Sequence, residues 1–207
     1  YYIPYNKGGD FRKWYGNKDY VLAFNTSSLA QMQKEKGFRP DGINKFFNNS
    51  ITWSKITSGK FSARFSFNDS GFDATSTSAL GKDEDLSEIC LALNSSVGTY
   101  LLNILNSSLT YLPRDIKNFP IIKPSYLVDF NRFLKISKND WDSYETSWDF
   151  TQNPIIRTNQ PNLEQAFNTW QQQNSGAVAE MKRLEEENNK LFIEAYGLQD
   201  ELTPDVP

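Results

Sequence analysis

The sequence predicts an α+β fold: a mixed or antiparallel sheet with packed helices, followed by a long C-terminal spacer helix. Three observations carry this reading. Residues 60–67 alternate apolar and polar side chains with period two, as a strand does. Leu86, Ile89, Leu93, Val97, Tyr100, Leu101 and Ile104 recur at helical spacing. From Pro161 to Tyr196 a nearly continuous apolar stripe runs at the same spacing.

The elements follow in order. Residues 1–17 are aromatic, basic and glycine-bearing, with turns expected at Gly8-Gly9 and Gly16-Asn17. Residues 19–24 form a strand rich in β-formers. Asn25-Thr26-Ser27-Ser28 then caps a short helix reaching about Lys36. Arg39-Pro40-Asp41-Gly42 is a turn signal within a loop. Residues 50–57 form a β-branched strand, and Ser58-Gly59 turns it into 60–67. There Phe61, Ala63, Phe65 and Phe67 alternate with Lys60, Ser62, Arg64 and Ser66. This pattern predicts one apolar face on the core and one basic face in solvent. Gly71-Phe72-Asp73 and 75–78 add a short strand or loop.

One helix is expected over 86–105, capped by Asp83 or Asp85, with Gly98 weakening it by about 1 kcal/mol relative to alanine. Residues 111–122 read as extended, punctuated by Pro113 and Pro120. Trp141, Tyr144 and Trp148 suggest a short amphipathic helix packing on the core. Pro161 introduces the last helix, which ends near Gly197, with a kink expected at Ser175-Gly176 and a Glu186–Lys190 pair on its surface. Its roughly 36 residues at about 1.5 Å each span on the order of 54 Å, so the stripe calls for a helical partner.

Composition excludes several function classes. Histidine is absent, which removes Ser-His-Asp triads, histidine bases and histidine metal sites. The single Cys90 lies in an apolar run and reads as a buried, inert thiol. No membrane span is expected, since no apolar run approaches the required length. The chain opens on Tyr1 rather than Met, which suggests part of a longer protein. Charge is uneven: residues 1–80 carry a net +5 and residues 81–207 a net −8, for −3 in all. A basic front rich in aromatics, ahead of an acidic rear, suggests a polyanion-binding face and a separate solvated or partner-binding element.

Six segments in order carry a resemblance. They are Lys7-Gly8-Gly9-Asp10-Phe11-Arg12-Lys13-Trp14-Tyr15-Gly16-Asn17; Ile51-Thr52-Trp53-Ser54 with Ser58-Gly59-Lys60-Phe61-Ser62-Ala63-Arg64; and Gly71-Phe72-Asp73. Leu91-Ala92-Leu93-Asn94-Ser95, Asp115-Ile116-Lys117-Asn118-Phe119-Pro120-Ile121, and Leu184-Glu185-Glu186-Glu187-Asn188 through Tyr196-Gly197-Leu198 complete the set. Together they resemble the C-terminal region of the adenine-specific DNA methyltransferases of BREX phage-defence systems, the PglX proteins, and related type II modification enzymes.

The resemblance implies a target-recognition domain over 1–125, a connecting segment with a short helix over 126–160, and a helical spacer over 161–207. It also implies an upstream catalytic domain that binds S-adenosylmethionine, with no cofactor in these residues, and a cytoplasmic protein. Its partners would be double-stranded DNA and, for the spacer, a helix from the upstream part or another subunit. Such enzymes use an Asn/Asp-Pro-Pro-aromatic motif. Asn153-Pro154-Ile155-Ile156 lacks the second proline and the aromatic, and reads as a turn.

Two patches are the candidates for DNA contact. Lys7, Arg12 and Lys13, beside Trp14 and Tyr15, form the first. Trp53, Ser54, Lys55, Thr57, Ser58, Lys60 and Arg64 form the second. Lysine, arginine and hydroxyl side chains suit phosphates, and the Arg64 guanidinium would suit the O6/N7 edge of guanine. The rival readings are a carbohydrate-binding β-module, an oligomerisation module built on 161–197, and a nuclease at Glu180-Met181-Lys182, which has no convincing second acid.

Overall fold

The computed structural model describes residues 1–207 apart from Arg39, Ser58, Ser107 and the side chain of Asp41. The fold is α+β, and the chain divides into two compact units: Tyr1–Asn94 with Thr99–Pro120, and Ser95–Gly98 with Ile121–Pro207.

The first unit holds two three-stranded sheets. One comprises β1 (Tyr2–Asn6), β2 (Tyr20–Ala23) and β5 (Gly71–Phe72) in the order β2-β1-β5. β1 runs antiparallel to β2 and parallel to β5. Sequence reasoning misses this strand, because Pro4 argues against a central position. The register removes the objection: β5 pairs only with Tyr5 and Asn6, so Pro4 faces a strand on one side alone. Asn25 caps α1 (Thr26–Met32) through its side-chain oxygen, which accepts from Ser28 N–H at 2.9 Å. Pro40–Lys45 is a 3-10 turn; the Arg39 part of the expected turn lies outside the described residues.

The second sheet is antiparallel, with β3 (Ser50–Ser54) between β4 (Ala63–Ser66) and β6 (Ser76–Leu80). Ile51 and Trp53 stand opposite Phe65 and Ala63, which makes one face apolar. α2 (Asp83–Asn94) packs against β3 and β4 and buries Leu86, Cys90, Leu91 and Leu93. Ser50, Thr52, Arg64 and Ser66 share the other face. That face is polar, as the alternation predicts, yet all four residues are buried. The expectation of a solvent-facing basic surface is therefore corrected. β1 and the loop after it lie over this face and supply partners to its polar groups.

The expected single helix over 86–105 is two, α2 and α3 (Ser96–Leu105). The break falls at Ser95, whose Oγ accepts from Gly98 N–H at 3.0 Å, as a new helix start requires. The stretch expected to be extended contains α4 (Pro113–Lys117). Pro113 sits in its first turn, and the Asp115 carboxylate accepts from Leu112 N–H at 2.8 Å.

In the second unit, α5 (Phe130–Trp141) is capped by Asp129 and buries Phe130, Phe133, Leu134 and Ser137. The helix expected from Trp141 to Trp148 is replaced by successive turns, with Tyr144 and Trp148 exposed. Lys138 pairs with both Asp142 and Asp149, which holds that segment folded back. α6 (Pro154–Arg157) and α5 both pack on α7 (Leu163–Tyr196), the long C-terminal helix. Asn162 caps its start and left-handed Gly197 its end. The helix is continuous through Ser175 and Gly176. Glu186 pairs with Lys182 and Lys190 with Glu194, in place of the expected Glu186–Lys190 pair. Its C-terminal half buries Leu184, Leu191, Phe192 and Ile193, while Leu163, Phe167 and Val178 are exposed. Among the described residues no single helix is long and apolar enough to cross a membrane.

Candidate functional site

The loop from Lys7 to Asn17 is the element that assembles the site. Gly8 and Gly9 carry φ values of 82° and 149°, which let the chain turn sharply beside β3. An added Cβ on Gly9 would lie 2.8 Å from the Asn17 side chain, so the turn closes on itself. Further on, Trp14 acts as a one-residue strand beside β4. Its N–H donates to Ala63 O at 3.0 Å, and its carbonyl accepts from Phe65 N–H at 2.7 Å.

This loop joins the two patches that the sequence separates by some forty residues. Ser54 Oγ donates to Gly9 O at 2.8 Å and accepts from Gly9 N–H at 3.1 Å. Arg12 N–H donates to Ser62 Oγ at 3.3 Å. Thr75 ties in the rest: its Oγ1 donates to Lys7 O at 2.8 Å, and its carbonyl accepts from Lys55 N–H at 2.9 Å. The outcome is a shallow, open cleft lined by Gly9, Asp10, Phe11, Ser54, Thr57, Lys60 and Ser62.

The candidate residues divide by burial. Lys7 and Lys60 are exposed, and Arg12, Lys13, Ser54, Lys55 and Thr57 are half-buried. Lys7 Nζ lies 5.0 Å from the centre of the Tyr20 ring. Arg12 Nε donates to Tyr15 O at 2.9 Å. Ser58 lies outside the described residues.

Trp14, Tyr15 and Trp53 are core residues, no more than 3% exposed, and offer no ring for a base to stack on. Trp53 Nε1 donates to Tyr111 O at 3.1 Å, and Tyr15 packs against Phe67. Arg64 is 1% exposed, so its guanidinium does not reach a groove edge as placed. The reason is the loop itself, which covers the polar face of the second sheet. Arg64 Nη1 donates to Arg12 O and Nη2 to Ser54 Oγ, both at 3.3 Å. Burial, with the nearby Arg12 charge adding to it, pushes the Arg64 pKa down to about 10 against the opposing influence of Cys90.

Sequence reasoning missed two polar fixtures. Lys18, 4% exposed, donates to both oxygens of Asp69 at 2.9 and 3.1 Å and to Ser70 Oγ at 3.3 Å. Asn94, buried at the end of α2, accepts from Ala63 N–H and donates to Ala63 O, each at 2.9 Å. Neither partner is near in sequence, so no local signal marks them.

Asn153 Oδ1 accepts from Ile155 N–H at 2.9 Å as the cap of α6. That amide serves a helix end. Among the described residues no group of three or more His, Cys, Asp or Glu side chains is placed to hold a metal ion.

Two small sheets locked together by a glycine-rich loop, with an open cleft at the junction, define a module of mixed α+β class. Comparison with known proteins places its relatives. The chain is 38% identical to the adenine-specific methyltransferase PglX of Lacticaseibacillus casei (strain Zhang), over 99% of the chain and 18% of that protein. It is 25% identical to the adenine-specific methyltransferase BrxX of Escherichia coli O9:H4 (strain HS), over 98% of the chain and 17% of that protein. Along nearly its whole length the chain thus matches one segment of the PglX and BrxX adenine-specific methyltransferases, and it spans less than a fifth of their length. No protein-family model matches it.

Proposed function

We propose that the chain is the duplex-DNA-reading part of an adenine-specific methyltransferase of the PglX/BrxX kind, acting in a cytoplasmic phage-defence or restriction–modification system. Methyl transfer from S-adenosylmethionine is assigned to a part of the longer protein outside these residues. The observation that carries the reading is the meeting of the two segments 7–15 and 53–64, where Ser54 Oγ holds both backbone groups of Gly9 and Arg12 N–H reaches Ser62 Oγ. A base inside a duplex must be extruded before it is methylated, so the flanking helix has to be held in register. Lys7, Lys13, Lys55 and Lys60, none of them buried, are assigned to phosphates, which give affinity and orientation. With Arg64, Trp14, Tyr15 and Trp53 enclosed, base reading is assigned to the loop surface rather than to those side chains.

The test is duplex binding by the 207-residue chain, followed by fluorescence anisotropy across a salt series. Replacing Lys7, Lys13, Lys55 and Lys60 together by Gln is expected to weaken binding. It should also flatten the plot of log affinity against log salt by about 0.9 for each phosphate that is no longer neutralised. Equal affinity and equal slope for the two proteins would remove the basis of the reading.

A further inference from the structure

Arg64 is a buried cation without a counter-ion among the described residues. Its guanidinium has five N–H donors, and its hydrogen bonds are two long ones, both to neutral acceptors. No described carboxylate pairs with it, and a second guanidinium, that of Arg12, adds a like charge to its surroundings. An enclosed positive charge in this condition is costly, and proteins ordinarily pair it or replace it. Lys18, in the same unit and equally buried, has its carboxylate.

What distinguishes Arg64 is its position. Its Nη2 donates to Ser54 Oγ, and Ser54 is a wall of the open cleft. The positive charge therefore lies one hydrogen bond behind that wall. Thr57 brings a hydroxyl to the same cleft, and Lys60 stands exposed at its rim. Ser54 itself is held by both the N–H and the carbonyl of Gly9, so the wall is fixed in place. Asp10 is the one acidic lining residue, and it opposes an anion there.

We infer that this cleft is a seat for a single phosphate group, held by Lys60 and Thr57 at its mouth against the field of buried Arg64. This rests on the DNA reading above for its source, a backbone phosphate of the duplex. On that view the missing counter-ion of Arg64 arrives with the ligand, and the loop 7–17 is fastened where the phosphate docks.

The experiment uses the 207-residue chain and its Lys60→Gln, Thr57→Val, Asp10→Asn and Arg64→Met variants. Each is measured by thermal unfolding with and without inorganic phosphate at constant ionic strength, and by salt-dependent binding of a mixed-sequence duplex. Phosphate is expected to raise the melting temperature of the parent chain. The rise should shrink in Lys60→Gln and Thr57→Val, vanish in Arg64→Met and grow in Asp10→Asn. Each protein is compared with its own phosphate-free baseline. Because Lys60 is exposed, its variant keeps the test decisive if Arg64→Met fails to fold. With duplex, Lys60→Gln should lower the salt slope by about 0.9, the effect of a single phosphate.

Parent duplex binding with an unchanged slope in Lys60→Gln and no phosphate response would overturn the seat and leave the DNA reading standing. A Lys60-dependent phosphate response without duplex binding would overturn the backbone phosphate as its source, and the DNA reading with it.

Discussion

Asn6 Nδ2 donates to Ser66 Oγ at 2.8 Å, and the bond ties the middle strand of the first sheet to the edge strand of the second. Both residues are at least 96% buried. Neither side chain has water to turn to if the other is removed. Asn6→Ala is therefore expected to destabilise the chain by about 1–3 kcal/mol, the usual cost of leaving a buried polar group unmatched. The double variant Asn6→Ala, Ser66→Ala should cost less than the sum of the two single ones. Urea unfolding of the four proteins measures the coupling, and strict additivity would show that the bond contributes nothing.

Asn94 acts on the same strand from the other side of the sheet. Its amide both accepts from and donates to the Ala63 backbone, and so fixes the end of α2 to β4. An aspartate keeps the acceptor but sets a carboxylate against the Ala63 carbonyl. Asn94→Asp should accordingly cost more than Asn94→Ala, which is expected to lose about 2 kcal/mol. Denaturant midpoints at neutral pH decide the order, and a milder effect of aspartate would contradict the two-bond geometry.

This polar layer explains what the sequence could and could not disclose. The alternation in 60–67 correctly separates Phe65 and Ala63 from Arg64 and Ser66. Period two reports which residues share a face, not what lies over it. The first sheet's β1 lying over the polar face is a long-range fact, and its anchor Asn6 belongs to a strand that Pro4 disguises. The long helix was legible because its stripe and Gly197 agree, although it starts at Leu163 behind an Asn162 cap and leaves Pro161 outside. The break at Ser95 was not, since the apolar spacing continues across it. The approach of the two basic patches depends on Ser54 meeting Gly9, a contact that no local pattern encodes.

Tyr5 supplies a pH signature of the first sheet. Burial, with the Asp73 carboxylate adding to it, raises its pKa from 10.0 to about 12. The fold therefore retains a proton that the unfolded chain releases. Its stabilising contribution is complete below pH 10 and lost as pH rises towards 12. Tyr5→Phe removes this titration, so its stability should fall less steeply over that interval than the parent's. Phenolate absorbance offers a second check: one late-ionising tyrosine should be missing from the variant's titration curve. Loss of that amplitude near pH 10 instead would mean that Tyr5 ionises with the exposed tyrosines.

The Lys18–Asp69 pair is buried on one side only, and its two members should not respond alike. The Lys18 side chain is 5% exposed and that of Asp69 50%, so removing the acid strands an ammonium that cannot reach water. Breaking an enclosed pair in this way costs about 3–5 kcal/mol, whereas an apolar side chain of similar volume in place of the charge is often close to neutral. Half-exposure of Asp69 lets solvent screen part of the interaction and moves its loss towards the lower end of that range. Asp69→Ala is therefore expected to be clearly more destabilising than Lys18→Met, although Lys18 has the larger side chain and the deeper position. Lys18→Met keeps the packing beside the Tyr15 ring, over which the ammonium now sits at 5.4 Å. In the double variant the penalty of Asp69→Ala should largely disappear, because no stranded charge is left. Thermal and urea unfolding of the three proteins test this directly. A Lys18→Met variant weaker than Asp69→Ala would show that the lysine is held for the hydrogen bonds it donates rather than tolerated as a charge that needs its partner.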